Sequence, residues 1–327
     1  MVDIPIDPPV VPPITPPMPG QPGIPPTASI QVYRVLDPQV VIRAADTIRR
    51  ALFPNVSGGR ELQVHPASGA LWFDTGQRGG GSTAPSEVRA REVALAFLDG
   101  ARLRLGRTSL PSDLVPDGLK LVDVKRIGSP WPGTGASAVC RFVRTLRPSA
   151  TEQPVPVLGE TVDVWVDDAG AVQAFGSTCR PVASATPAAR LPTPKDDPQA
   201  EDEDPMLLMY LSGDENDVRD TTCPFWIRWD DDEALVLPAS AQSMVIGMTP
   251  TPTSGAMALT ASVLGGSGRY DYDWLAWSPT APDEFVSLGG GSSTRIGPGV
   301  WDVALRVRDN ETGVSEQIAS QVVCAHG

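Results

Sequence analysis

Proline is the feature that most limits what this chain can fold into. Of 35 prolines, eleven fall in residues 1–27, in pairs such as Pro8-Pro9, Pro12-Pro13 and Pro16-Pro17. Such a segment favours polyproline II and forms neither a helix nor a central strand. Its intervening residues Val10, Val11, Ile14, Met18 and Ile24 are apolar rather than Ser, Glu or Lys. That pattern predicts an arm that docks on a neighbouring subunit or partner, against the plainer alternative of a mobile spacer. The 31 glycines bring Pro plus Gly to about a fifth of the 327 residues, which favours strands, turns and extended linkers over long helices.

After the arm, residues 28–78 read as a small α/β hairpin unit. Ile30 to Val35 alternates with period two, Ala44 to Phe53 has helical spacing ended by Pro54, and Leu62–His65 and Leu71–Asp74 flank the turn Pro66-Ala67-Ser68-Gly69. Residues 79–182 open with a glycine-rich break. The chain's longest helical pattern follows, about 86–105, with Ala90, Ala94, Phe97, Leu98, Ala101 and Leu105 on one face. Strands are expected at 119–127, 138–146, 160–167 and 171–176, the last two joined by a turn at Asp168-Ala169-Gly170. One amphipathic helix on an antiparallel sheet is an α+β layer, with the helix covering the sheet's apolar face.

Residues 183–220 read as an acidic linker. Fourteen Asp and Glu lie between 196 and 233 against Arg219 and Arg228, so that stretch carries −12 of the chain's net −13. Dense like charge keeps such a segment extended. Residues 221–327 show six strand-like runs without helices: 243–248, 256–264, 270–277, 284–288, 300–308 and 316–323. Trp274 is the expected inter-sheet core residue. The fold class is therefore multidomain: α+β, helix on antiparallel sheet, then an all-β sandwich.

The acidic balance argues against nucleic acid or an anionic membrane as the main partner, and no run reaches the roughly 20 apolar residues of a spanning helix. Two histidines, His65 and His326, cannot build a multi-histidine metal centre, and neither a nucleotide-binding loop nor a Gly-x-Ser-x-Gly elbow is present. No cofactor and no catalytic residue is expected. The acidic runs Asp214–Asp217 and Asp230–Glu233 read as solvated faces, with weak calcium binding as the other reading; consecutive strand residues point alternately and converge poorly on an ion. Trp226 and Trp229, three apart, cannot share a strand face, so one should be exposed and suited to a protein or glycan contact.

Cys140 and Cys179 end or interrupt strands of one domain, and Cys223 and Cys324 flank the other. That placement suggests disulfides 140–179 and 223–324, and with them an extracellular or cell-surface location, against four buried reduced thiols in a cytoplasmic protein. The opening Met1-Val2-Asp3-Ile4-Pro5-Ile6-Asp7 has no basic region and no apolar core behind it, so export would need a removed leader or another route.

Residues 86–182 resemble the PepSY and fungalysin/thermolysin-propeptide domains of secreted bacterial proteins. The resemblance lies in the helix Ala94 to Leu98 ending near Leu103-Arg104-Leu105-Gly106, the strand Cys140 to Leu146, the entry Pro154 to Gly159, and the hairpin Val162 to Val172. It implies a domain that binds, chaperones or inhibits a peptidase. With no His-Glu-x-x-His in the chain, that peptidase would be a separate protein. Residues 241–324 resemble PKD and related immunoglobulin-like domains through Gly265 to Trp274 and Gly299 to Gly313, although Trp274-Leu275-Ala276-Trp277 replaces the usual Trp-Asp-Phe-Gly motif. This second resemblance implies a spacer, adhesion or glycan-binding module. Together they predict a non-enzymatic protein-binding or structural module of a secreted or surface assembly, its partners other subunits or further copies of itself. The alternative is an inhibitor or chaperone acting in trans on a secreted peptidase.

Overall fold

A computed structural model of the chain describes residues 29–56, 62–66, 68–76, 83–108, 110, 112–127, 136–191, 206–212, 217–230 and 233–324. The proline-rich arm, with Val10, Val11, Ile14, Met18 and Ile24, lies outside the described residues, as does His326. The chain divides into two compact units: residues 33–185 with 212–215, and residues 1–32, 186–211 and 216–327.

The first unit follows strand β1 (Ser29–Val35), which enters it, with helices α1 (Pro38–Arg43) and α2 (Ala45–Leu52). The helical segment begins earlier than the apolar spacing indicates. Asp37 accepts a hydrogen bond from the Gln39 N–H at 2.8 Å and Pro38 supplies a preset first-turn φ, so a short helix forms ahead of Ala44. The hairpin β2 (Gln63–Val64) and β3 (Leu71–Asp74) follows, in register Gln63↔Trp72. Helix α3 (Glu87–Leu105) is capped by Ser86, whose Oγ accepts from the Arg89 N–H at 3.3 Å. Strands β4 (Leu119–Ile127), β5 (Ser137–Leu146), β6 (Val155–Asp167) and β7 (Val172–Ser177) complete an antiparallel sheet in the order β4-β5-β6-β7-β3-β2.

The core lies between α3 and one face of this sheet. Ala90, Ala94, Leu98, Ala101 and Leu105 meet Ala138, Cys140 and Phe142 of β5, Val162, Val164 and Val166 of β6, and Phe73 and Phe175. Small alanines let the helix settle close to the strands, and each leucine fully buried there contributes about 1.5–3 kcal/mol. Ile48, Leu52 and Phe53 join the same core, so segments 28–78 and 79–182 share one hydrophobic centre.

Strand β8 (Val182–Ala189) leads to the second unit, which holds β9 (Leu207–Leu211), β10 (Asp217–Arg219), β11 (Thr221–Asp230) and β12 (Glu233–Pro238). Three strands thus fall inside the span 183–220 that composition reads as linker. Leu-Leu-Met-Tyr-Leu of β9 carries no charge to keep it in solvent; it pairs with β11, and Tyr210 is buried. The sandwich follows: β13 (Met244–Thr253), β14 (Ala256–Gly265), β15 (Tyr270–Ser278), β16 (Ala281–Gly289), β17 (Ser293–Ile296), β18 (Gly299–Asp309) and β19 (Ser315–Cys324). They form sheets β10-β19-β18-β15-β16 and β13-β14-β17. Met244, Ile246, Leu259 and Ile296 of one sheet pack on Trp274, Val303, Leu305, Val307 and Val322 of the other. Trp274 is fully buried and donates its indole N–H to the Gly291 carbonyl at 2.8 Å, the inter-sheet role its position predicts. The architecture is sandwich-like; beyond that topology nothing supports PKD membership.

All four cysteines are buried and none forms a disulfide, which overturns both expected pairings. Cys140 shares a register row with Val164 and Phe175, whereas Cys179 lies four residues beyond Phe175. That offset is about 13 Å along the strand and about 10 Å across two strands, beyond the reach of a disulfide. For the second pair, β10 runs antiparallel to β19 with Arg219 opposite Glu316 and Asp217 opposite Ile318. The chain continuing toward Cys223 therefore moves away from Cys324, and β11 pairs with β9 and β12 rather than with the sandwich. Burial raises the Cys140 thiol to about 11 and the Cys223 thiol to about 12, and pushes Cys179 upward as well, which keeps these thiols protonated and inert. The cysteines no longer argue for an oxidising destination.

Candidate functional site

With the helices on one face of the first unit's sheet, the alternate residues of each strand line the other. One register row crosses the sheet there: Asp123 on β4, Arg141 on β5, Asp163 on β6, Gly176 on β7 and Trp72 on β3. Arg141 donates Nε–H and Nη2–H to the two carboxylate oxygens of Asp163 at 2.9 and 2.8 Å, a bidentate pair. The Asp163 bond holds the guanidinium above its ordinary pKa against the effect of burial, with the charges of Asp163 and Asp123 adding to it.

Trp165 stands two residues along β6 from Asp163. Its ring meets Trp72 edge to face, centroids 4.9 Å apart, although β7 runs between their strands. Gly176 makes this contact fit. A Cβ there would lie 3.0 and 3.1 Å from ring carbons of Trp72 and 3.5 Å from Trp165, so only glycine leaves room for both indoles over the strand. Trp and Arg are the side chains most often found as binding anchors, and both indoles here are half-buried with the Arg141 pair adjacent. The strand alternation places Trp72, Arg141 and Trp165 away from the helix, but no sequence signal singles out Gly176 as the floor between them.

A second polar cluster lies on the buried side. Arg144, 1% exposed, donates to Glu160 at 2.9 Å, to the Arg180 carbonyl at 2.7 Å and to Asp113 at 2.6 Å. Asp113 also accepts from the Val182 N–H at 2.6 Å. Burial pushes the Asp113 carboxyl above its usual range against the opposing charge of Arg144, and the two carboxylates raise Arg144 in spite of its own burial. With Arg144 and Glu160 buried and Asp113 partly so, this cluster ties β5, β6 and the chain entering β8 together rather than meeting a substrate.

A groove of about 610 Å³ at the end of α3 is lined by Asp99, Arg102, Leu103, Gly106, Arg107 and Asp117. Arg102 bridges Asp99 and Asp117, both at 3.1 Å, so its charge is spent within the groove. His65 accepts at Nδ1 from the Ser68 N–H at 3.2 Å and caps its hairpin turn. Among the described residues no group of three or more His, Cys, Asp or Glu is placed to hold a metal ion. Nor is any described helix long and apolar enough to cross a membrane. In β11, Trp226 is buried under Arg190 and Trp229 is half-exposed, the split that their three-residue spacing predicts.

No family model and no curated protein matches this chain. Among solved structures, a Bacillus megaterium YpeB C-terminal domain gives a distant, partial match: 12% identity over 63% of this chain and 94% of that chain, TM-score 0.30. A likeness at that score carries no argument about fold or function.

Proposed function

We propose that this chain is a non-catalytic binding module that acts on a partner protein through the helix-free face of its α+β sheet. The observation that carries the reading is the row Asp123–Arg141–Asp163 beside the Trp72–Trp165 pair seated on Gly176. Rigid aromatic anchors next to a fixed bidentate ion pair have the composition of an interface centre. Of the two uses the sequence indicates, action in trans on a secreted peptidase, as inhibitor or chaperone, rests on the helix–hairpin pattern of residues 86–182. Assembly through the arm rests on residues outside the described ones. A location outside the cytoplasm is part of the proposal and now depends on that resemblance alone.

The test adds the purified full chain to a thermolysin-type zinc peptidase, reading both residual activity and the yield of active enzyme on refolding. The proposal expects saturable inhibition or a raised refolding yield, either one lost in the Arg141→Ala/Trp165→Ala variant. No effect on activity or yield, or equal effects from both proteins, would refute it.

A further inference from the structure

The sandwich has four sheet edges, and three are blunted. Strand β10 has three residues, β17 has four, and β13 carries Pro250 and Pro252, which lack backbone donors. The fourth, β16, spans Ala281–Gly289 and pairs only with β15; Pro282 sits near its start, and the six residues from Glu284 to Gly289 contain no proline, lysine or arginine. On it Phe285 is 68% exposed and Val286 53% exposed. Exposed apolar residues on a proline-free stretch of edge mark a place where another strand adds.

The register says which strand fits. Trp274 and Ala276 of β15 point into the core, so Leu275 and Trp277 lie on the outer face; Trp277 is opposite Phe285 and Ala276 opposite Val286. Phe285 is therefore an outer-face residue and Val286 an inner-face one. A two-fold axis perpendicular to the sheet keeps outer faces together. Centred on Phe285, it sets Phe285 against Phe285 and Glu284 against Val286, so the two glutamates do not oppose each other. The result is one aromatic row, Trp277–Phe285–Phe285–Trp277, across two copies. From this self-complementarity we infer that β16 is a homodimerisation edge, joining two five-stranded sheets into one antiparallel sheet of ten. The inference stands apart from the binding face of the α+β unit.

Light scattering of the full chain over a wide concentration range should show a twofold rise in mass. Phe285→Glu, at an exposed site, should stay monomeric with unchanged circular dichroism. Because the native cysteines are buried, Phe285→Cys should form an inter-chain disulfide on mild oxidation, its two Cα atoms lying about 4.5–5.5 Å apart, whereas Ser287→Cys should not. A monomer at every concentration, a dimer indifferent to Phe285→Glu, or cross-linking through Ser287→Cys instead would overturn the inference. So would a dimer abolished by deleting residues 1–28 that survives Phe285→Glu, since it would belong to the arm.

Discussion

Replacing Arg144 by methionine keeps most of the side-chain volume while removing the guanidinium that faces Glu160 at 2.9 Å and Asp113 at 2.6 Å. At an effective dielectric of 20, a unit pair at the Glu160 distance attracts by about 6 kcal/mol, much of it offset by desolvation. Breaking such a buried pair from one side costs about 3–5 kcal/mol, because a carboxylate is left ionised without a partner. The cost should depend on pH. Burial already raises Asp113, and removing Arg144 removes the charge that most opposes the rise. A carboxyl raised in the folded state causes no loss below its unfolded pKa, near 4, and a growing loss as pH rises through the folded value. Urea unfolding followed by tryptophan fluorescence should show the full penalty at neutral pH and little beyond lost packing near pH 4. A penalty below about 1 kcal/mol at neutral pH, or one equal at both pH values, would refute the account of a charge-bearing core.

Gly176→Val should part the Trp72–Trp165 pair, collapse its near-ultraviolet circular dichroism and cost about 1–3 kcal/mol by overpacking; an unchanged spectrum would deny the close approach. Asp309 is buried and accepts from the Ser267 N–H and hydroxyl and from the Glu311 and Thr312 N–H groups. Burial raises its carboxyl, but these bonds outweigh it and hold it below the usual range, so its contribution is present at neutral pH and lost as pH falls through that lowered value. Asp309→Ala should destabilise the sandwich by on the order of 3 kcal/mol at neutral pH and flatten its acid sensitivity, as read by denaturant titration at several pH values. All four thiols should resist an aromatic disulfide reagent in the native protein and react after denaturation, with no mass change on reduction; rapid labelling of native protein would contradict their burial.

Much of the architecture is legible in alternation and caps. The pattern Ala90, Ala94, Leu98, Ala101, Leu105 marks α3 and its buried face, and Ser86 marks its start. Strand β4 falls on the expected residues, and Val162, Val164 and Val166 face the core that their period-two spacing points to. Strands β9 and β11 were hidden because their neighbours' charge dominates the composition of that stretch; a five-residue apolar run such as Leu207–Leu211 becomes a strand only when a partner strand is there to pair with it. The cysteine pairing failed for a related reason: an even count and strand-end placement say nothing about register, and register separates both pairs. The binding face was half legible. Alternation places the tryptophans and Arg141 outward, yet their convergence over Gly176 depends on strand order, β6-β7-β3, which skips a long stretch of sequence. Gly266 is a similar case. Its φ of +69° and the 2.5 Å from a would-be Cβ to the Asp309 carboxylate show why the Gly265-Gly266-Ser267-Gly268 turn wraps that residue.

The central claim, a partner bound on the helix-free sheet face, is tested most directly by hydroxyl-radical footprinting of the full chain with and without the zinc peptidase. The account predicts that Trp72 and Trp165 become protected in the complex while Trp229 and Phe285 keep their reactivity. Unchanged labelling at both Trp72 and Trp165 in a complex shown to have formed would contradict it.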